Sequence, residues 1–125
     1  MIAGVGIDLL EIGRIRRLAE REAFLKGVYT DTERANFREF PAVLAGNFAV
    51  KEAVAKALGT GFRGFRARNI EVLRDDLGKP YVNLYEGAAR RAEELGVVRV
   101  HVSISDTDEL VTALAVAETE AGTCV

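Results

Sequence analysis

Hydrophobic and polar positions along the chain change their period several times, and each change predicts an element. Ile2 to Leu9 is apolar apart from two glycines and Asp8, which predicts a buried strand. From Glu11 to Lys26 the apolar residues Ile12, Ile15, Leu18, Ala19 and Leu25 predict a first helix. Thr30, followed by Asp31 and Glu33, has the chemistry of an N-cap and predicts a short second helix over Thr32 to Phe40. Pro41 suits the first position of a third helix over Ala42 to Leu58, which Gly59 and Gly61 end.

The second half is strand-rich. Asn69 to Arg74 and Tyr81 to Leu84 predict paired strands around a turn containing Asp75, Asp76, Gly78 and Pro80. Tyr85 to Leu95 predicts a helix stopped by Gly96. Val97 to Ser105 alternates, with Val98, Val100, Val102 and Ile104 on one face and Arg99, His101, Ser103 and Ser105 on the other. A polar turn at Asp106 to Glu109 leads to a last strand, Leu110 to Glu118. The order β-α-α-α-β-β-α-β-β gives an α+β fold with a largely antiparallel sheet. Residues 1–119 form one expected domain, with a loose tail over 120–125.

Composition narrows the chemistry. The chain has 125 residues, 29% of them charged, and a formal net charge of −2, which argues against general nucleic-acid binding. Its single cysteine, Cys124, and single histidine, His101, exclude an intrachain disulfide, a thiolate metal cluster and a histidine-rich zinc site. No apolar run approaches the roughly 20 residues of a membrane helix, and the start lacks the form of a signal peptide, so a cytoplasmic protein is expected.

Several polar residues stand where apolar ones are expected. Asp8 interrupts Ile7-Asp8-Leu9-Leu10 and reads either as a helix N-cap or as a carboxylate paired with a cation. On the third helix Leu44, Phe48, Ala55 and Leu58 share an apolar arc, Lys51 falls inside it, and Glu52 and Lys56 flank it one turn apart. The plain account is a snorkelling lysine and an i,i+4 ion pair. A site needing cations for phosphate and a carboxylate for a metal explains all three together. Gly59-Thr60-Gly61 follows and allows close backbone approach to a ligand. A helix C-terminus repels anions, so phosphate there depends on Lys56 and loop N–H groups. Arg14, Arg17 and Arg21, with Arg16 beside them, line the solvent side of the first helix, as a solvated face or as a docking strip for an acidic partner.

In this order the segments resemble the holo-acyl-carrier-protein synthases, the small bacterial 4′-phosphopantetheinyl transferases. The resemblance begins at Gly4-Val5-Gly6-Ile7-Asp8 and Arg14-Ile15 and continues at Tyr29-Thr30 with Glu33. It is most specific over the run from Phe48-Ala49-Val50-Lys51-Glu52 to Lys56-Ala57-Leu58-Gly59-Thr60-Gly61. Gly78-Lys79-Pro80 and His101-Val102-Ser103-Ile104-Ser105 complete it.

The resemblance implies transfer of phosphopantetheine from coenzyme A to a serine of apo-acyl carrier protein, with release of adenosine 3′,5′-bisphosphate. By position, Asp8 and Glu52 would hold Mg2+, and Asp8, Glu52 and Lys56 would form the catalytic set. Lys56, Gly59, Thr60 and Gly61 would face the donor's phosphates with Lys51 close by, and His101 is counted with them. Arg14, Arg17 and Arg21 would meet the acidic carrier protein. A homotrimer with sites between subunits, serving fatty-acid synthesis, is also implied. The base that deprotonates serine is either a water on the metal or a carboxylate such as Glu52 acting through water. The chain departs from the family at Asn47, at Gly27 and at Asp106, which stands where relatives carry a second histidine. A non-catalytic carrier-protein-binding module is the alternative reading, and a purely structural trimer subunit is a third.

Overall fold

The computed structural model describes residues 1–120. Beyond Glu120, the expected tail and Cys124 lie outside the described residues. The elements are β1 (Ile2–Glu11), α1 (Ile12–Leu18), α2 (Glu22–Val28), α3 (Asp31–Phe37), α4 (Pro41–Ala57), a 3-10 turn (Ala67–Asn69), β2 (Ile70–Arg74), β3 (Pro80–Leu84), α5 (Glu86–Leu95), β4 (Val97–Asp106) and β5 (Leu110–Thr119). All strand pairs are antiparallel, in a sheet of order β1-β5-β4 and a separate β2-β3 hairpin. Among the described residues no helix is long and apolar enough to cross a membrane.

Three local expectations change. The predicted first helix is two, α1 and α2, separated at Arg21, whose φ of −96° and ψ of 119° are extended. Ile15 of α1 and Leu25 of α2 are both buried in the core. Asp8 lies inside β1, and the residue that precedes α1 is Glu11, so the helix-cap reading of Asp8 is excluded. Val98 leaves the apolar face of β4, because the pairing with β5 slips between Val97 and Arg99 and Val98 is exposed.

Helix α4 is the centre of the molecule. From Leu44 to Leu58 nearly every side chain is buried, with Phe48, Glu52 and Lys56 the exceptions. The helix lies against the inner face of the three-stranded sheet, where the residues are small: Gly4 and Gly6 on β1, Ala113, Ala115 and Ala117 on β5. The approach is so close that a Cβ built on Gly4 would lie 1.9 Å from the Ala57 carbonyl oxygen, and one on Gly6 would lie 1.8 Å from that of Ala53. No residue but glycine fits either position.

The opposite side of α4 holds a buried ion pair. Lys51 and Glu33 are both fully buried, with Nζ 2.7 Å from Oε1. The ammonium also donates to the carbonyls of Ala67 and Ile70. The Glu33 carboxylate closes a capping box at the start of α3, accepting from Thr30 N–H at 3.0 Å while Thr30 Oγ1 accepts from Glu33 N–H at 3.2 Å. It further accepts from Asn47 Nδ2 at 3.1 Å and Val72 N–H at 3.3 Å. One carboxylate thus joins α3, α4 and β2.

Among the described residues nothing covers the outer face of the three-stranded sheet. Val5, Ile7 and Leu9 are 55%, 61% and 65% exposed, and Leu114 beside Ile7 is also exposed. The first strand is therefore buried on one face only, not on both.

Removing one member of the buried pair leaves the other charge uncompensated, at a cost of about 3–5 kcal/mol. Lys51→Met should lower stability by that amount in urea unfolding. The double variant Lys51→Met with Glu33→Gln should recover a substantial part, since both charges leave together.

Candidate active site

The close seating of α4 on β1 decides what meets at the sheet edge. Gly4, Gly6 and Asp8 alternate onto the inner face of β1. Two residues beyond Gly6, Asp8 arrives beside the exposed flank of α4, where Glu52 and Lys56 stand one turn apart. The Lys56 ammonium donates to the Ile7 carbonyl at 2.9 Å and lies 3.4 Å from Asp8 Oδ1. Lys56 is 52% exposed and Asp8 18% exposed at their side chains. Burial pushes the Glu52 carboxyl above its usual range, the negative charge of Asp8 pushes it further, and Lys56 and Arg14 oppose the shift.

Two carboxylates that repel each other, with hard oxygen donors facing solvent, fit Mg2+. That ion takes one or two protein carboxylates and fills its other positions with water and phosphate oxygens. Among the described residues no group of three His, Cys, Asp or Glu side chains is placed to hold a metal.

The turn after α4 sits one helical turn beyond Lys56. Gly59 and Gly61 both have left-handed φ, 83° and 60°. Gly61 N–H returns to the Ala55 carbonyl at 3.1 Å, and Thr60 Oγ1 donates to Gly61 O at 2.9 Å. The positive φ values, not general flexibility, explain the glycines.

The basic strip reaches the same region. Arg14 and Arg17 line a groove of about 440 Å³ with Leu9, Leu10, Glu11 and Leu110. The same two arginines join Leu18, Glu20 and Arg21 along an adjoining groove of about 430 Å³. The charge of Arg14 opposes the rise of the Glu52 pKa, which ties this end of the strip to the carboxylate pair.

Two predicted residues do not join this cluster within one chain. Lys51 is fully buried, and its ammonium is held by Glu33 and two backbone carbonyls. It is not available to a phosphate in this arrangement, and its place on the apolar arc answers to Glu33. His101 lies on the outer face of the sheet, with Nε2 2.9 Å from Glu118 Oε1. Asp106 lines a pocket of about 290 Å³ with Ala42, Gly46, Arg74, Gly78 and Pro80. Asn47 is buried in the Glu33 network, its Oδ1 without a hydrogen-bond partner among the described residues, and a Cβ on Gly27 would meet no described atom within 4 Å. Sequence reasoning missed Glu33 as the partner of Lys51. The signal was present: Thr30 and Glu33 have capping-box spacing, and a buried lysine demands a carboxylate.

Comparison with known proteins adds the following. The model of the 4′-phosphopantetheinyl transferase superfamily matches residues 4–115. A holo-[acyl-carrier-protein] synthase of Lachnoclostridium phytofermentans is 51% identical over 118 residues, covering 94% of this chain and 97% of that one. The crystal structure of the holo-[acyl-carrier-protein] synthase of Neisseria meningitidis superposes with a TM-score of 0.86 at 41% identity, over 95% of this chain and 100% of that one. The corresponding protein of Bacillus anthracis, in complex with CoA (3′,5′-ADP), superposes at 0.80 with 33% identity over 96% and 99%.

Because the folded state holds the Glu52 proton more tightly than the unfolded chain, ionised Glu52 disfavours folding. The penalty is absent below the ordinary carboxylate range and grows as pH rises through the folded value. Glu52→Gln should therefore raise Tm in metal-free buffer near pH 7, and the gain should disappear as the pH is lowered through the carboxylate range. Thermal scans over a pH series check this.

Proposed function

Since the chain belongs to the 4′-phosphopantetheinyl transferase superfamily, we propose that it transfers 4′-phosphopantetheine from coenzyme A to a serine hydroxyl of an apo-acyl carrier protein. The serine hydroxyl gives up its proton to a water, or to a carboxylate such as Glu52 through water, and its oxygen forms a new bond to the phosphorus that carries the pantetheine arm. The pyrophosphate P–O bond breaks, and adenosine 3′,5′-bisphosphate leaves.

The observation that carries this reading is the Asp8–Glu52–Lys56 cluster at the edge of β1, with the Gly59–Gly61 turn on one side and Arg14 on the other. Lys56, held by the Ile7 carbonyl, presents its ammonium where charge develops on the departing phosphate. The turn offers backbone N–H groups and close approach to the donor. The Arg14, Arg17 and Arg21 grooves, with apolar residues such as Leu9, Leu10 and Leu110 in their walls, suit an acidic surface with a few apolar anchors. Mg2+ held by Asp8 and Glu52 would neutralise the donor's phosphate oxygens. A non-catalytic docking module would need the arginines alone and leaves the mutually repelling carboxylates without a purpose.

We also propose that the enzyme works as a homotrimer. The uncovered apolar face formed by Val5, Ile7, Leu9 and Leu114 supports assembly. So does the position of His101 on that face, remote from the cluster of its own chain. Assembly would let His101 serve a neighbouring subunit's donor site. Fatty-acid synthesis in the cytoplasm is the setting we propose, on the resemblance alone.

The assay is incubation with apo-acyl carrier protein, coenzyme A and Mg2+, followed by mass spectrometry of the carrier. Gain of phosphopantetheine is expected, and its absence across several carriers would overturn the enzyme reading. Asp8→Ala and Glu52→Ala should each remove the Mg2+-dependent activity while the circular dichroism spectrum stays that of the parent. Near-parental turnover in either would remove that residue from the metal site.

Ile7→Glu places a charge in the centre of the exposed face without touching the core. Light scattering should show a trimer for the parent and a smaller species for the variant. A parental mass unchanged by Ile7→Glu would place the contact elsewhere.

A further inference from the structure

The turn that follows α4 has an electrostatic difficulty. Carbonyl groups at the end of a 17-residue helix carry the negative end of the macrodipole, equivalent to roughly half a charge. Phosphate is unwelcome there. Lys56, the basic residue in the last turn, is directed towards Ile7 O and Asp8, away from the helix end.

Another cation occupies that end. Arg91 of α5 donates from Nε to the Leu58 carbonyl at 3.0 Å, across 33 positions of sequence. Its Nη1 makes a long contact of 3.4 Å with Glu94 on the same helix. Its Nη2 has no polar partner among the described residues and lies 3.5 Å from where a Cβ on Gly59 would be. The side chain is 30% exposed, so its charge is only partly screened.

One turn before Arg91 on the same face of α5 stands Gly87. A Cβ there would lie 2.4 Å from the Gly64 carbonyl oxygen and 2.8 Å from Phe65 Cβ. Helix α5 therefore grips both ends of the segment from Gly59 to Phe65. Gly87 does so by close packing, and Arg91 by charge.

We propose that Arg91 is a positioning residue for the phosphate donor. It holds the Gly59–Gly61 turn by its bond to Leu58 and cancels the carbonyl charge at the end of α4, so that a polyphosphate can lie against the turn. The inference rests on the reading that the donor's phosphates face Lys56 and this turn.

The test uses the full-length protein with adenosine 3′,5′-bisphosphate as the binding probe in calorimetry, and with coenzyme A in steady-state kinetics. Arg91→Gln should weaken nucleotide binding about tenfold, the upper range for a charge at a partly buried helix end. KM for coenzyme A should rise in parallel, with kcat and KM for the carrier protein held. The difference from the parent should shrink at high salt. Arg91→Lys, which keeps the charge, should stay within about threefold of the parent. Unaltered binding in Arg91→Gln would overturn the inference, and so would a joint fall of kcat with both affinities matching a fall in Tm. Lys56→Ala separates the two levels of argument. Unaltered nucleotide binding in Lys56→Ala would overturn the underlying placement of the donor. Weakened binding there with none in Arg91→Gln would overturn the Arg91 inference alone.

Discussion

How closely α4 can approach β1 governs the rest of the molecule. Gly4 and Gly6 present bare backbone to the carbonyl oxygens of Ala57 and Ala53, and the neighbouring strand places Ala113, Ala115 and Ala117 on the same inner face. A single added methyl group at Gly6 would have to displace α4 or β1, and overpacking of this kind costs about 1–3 kcal/mol in a well-packed interior. The larger consequence is positional. Asp8 follows Gly6 on the same strand face, and Glu52 and Lys56 immediately precede Ala53 and Ala57 on the helix. The glycines that allow contact are the reason a carboxylate from the strand and two charged groups from the helix share one place.

Helix α4 carries charge on both sides, and the two sides are built on opposite principles. Glu33 and Lys51 are fully buried and matched, and the carboxylate oxygens are occupied by a capping box, an asparagine and a strand N–H. Burial pulls the Lys51 pKa down, and the charge of Glu33 opposes the pull. This side fixes α3 and β2 onto the helix. On the other side Asp8 and Glu52 face each other as like charges, with Lys56 an incomplete counterweight. That arrangement costs stability in the free protein, a cost that the proposed binding of a cation and a phosphate there would explain.

Much of this was legible in the sequence. Pro41 and Gly96 set helix ends as their chemistry requires, at the first position of α4 and at a left-handed C-cap with φ of 73°. The hairpin around Gly78 and the alternation of β4 were also legible. The break at Arg21 was present as a lapse in periodicity, since no apolar residue of size follows Ala19 at a spacing of three or four. Lys51 was recognised as out of place, but the residue that resolves it stands 18 positions away, and periodicity within one helix cannot reveal a partner on another. The slip that exposes Val98 arises from pairing with β5, which no pattern inside β4 encodes. Arg91 was invisible for the same reason: on an amphipathic helix it reads as one more surface arginine until the end of α4 is placed against it.

Charge is distributed with a direction. The chain is acidic overall, by 19 carboxylates to 17 lysines and arginines, yet the surroundings of the carboxylate pair are rich in cations. Arg14, Arg17 and Arg21 lie along the grooves on one side, Lys56 stands at the centre, and Arg91 lies behind the glycine turn. A reaction between an acidic protein and a polyphosphate brings two anions together, and each must be met by cations before either approaches the other. On the proposed function, the arginines of α1 would do this for one and Arg91 with Lys56 for the other. The carboxylates sit between them, where a divalent ion can join the two fields. On that reading, such a layout raises the encounter rate of both substrates at low salt.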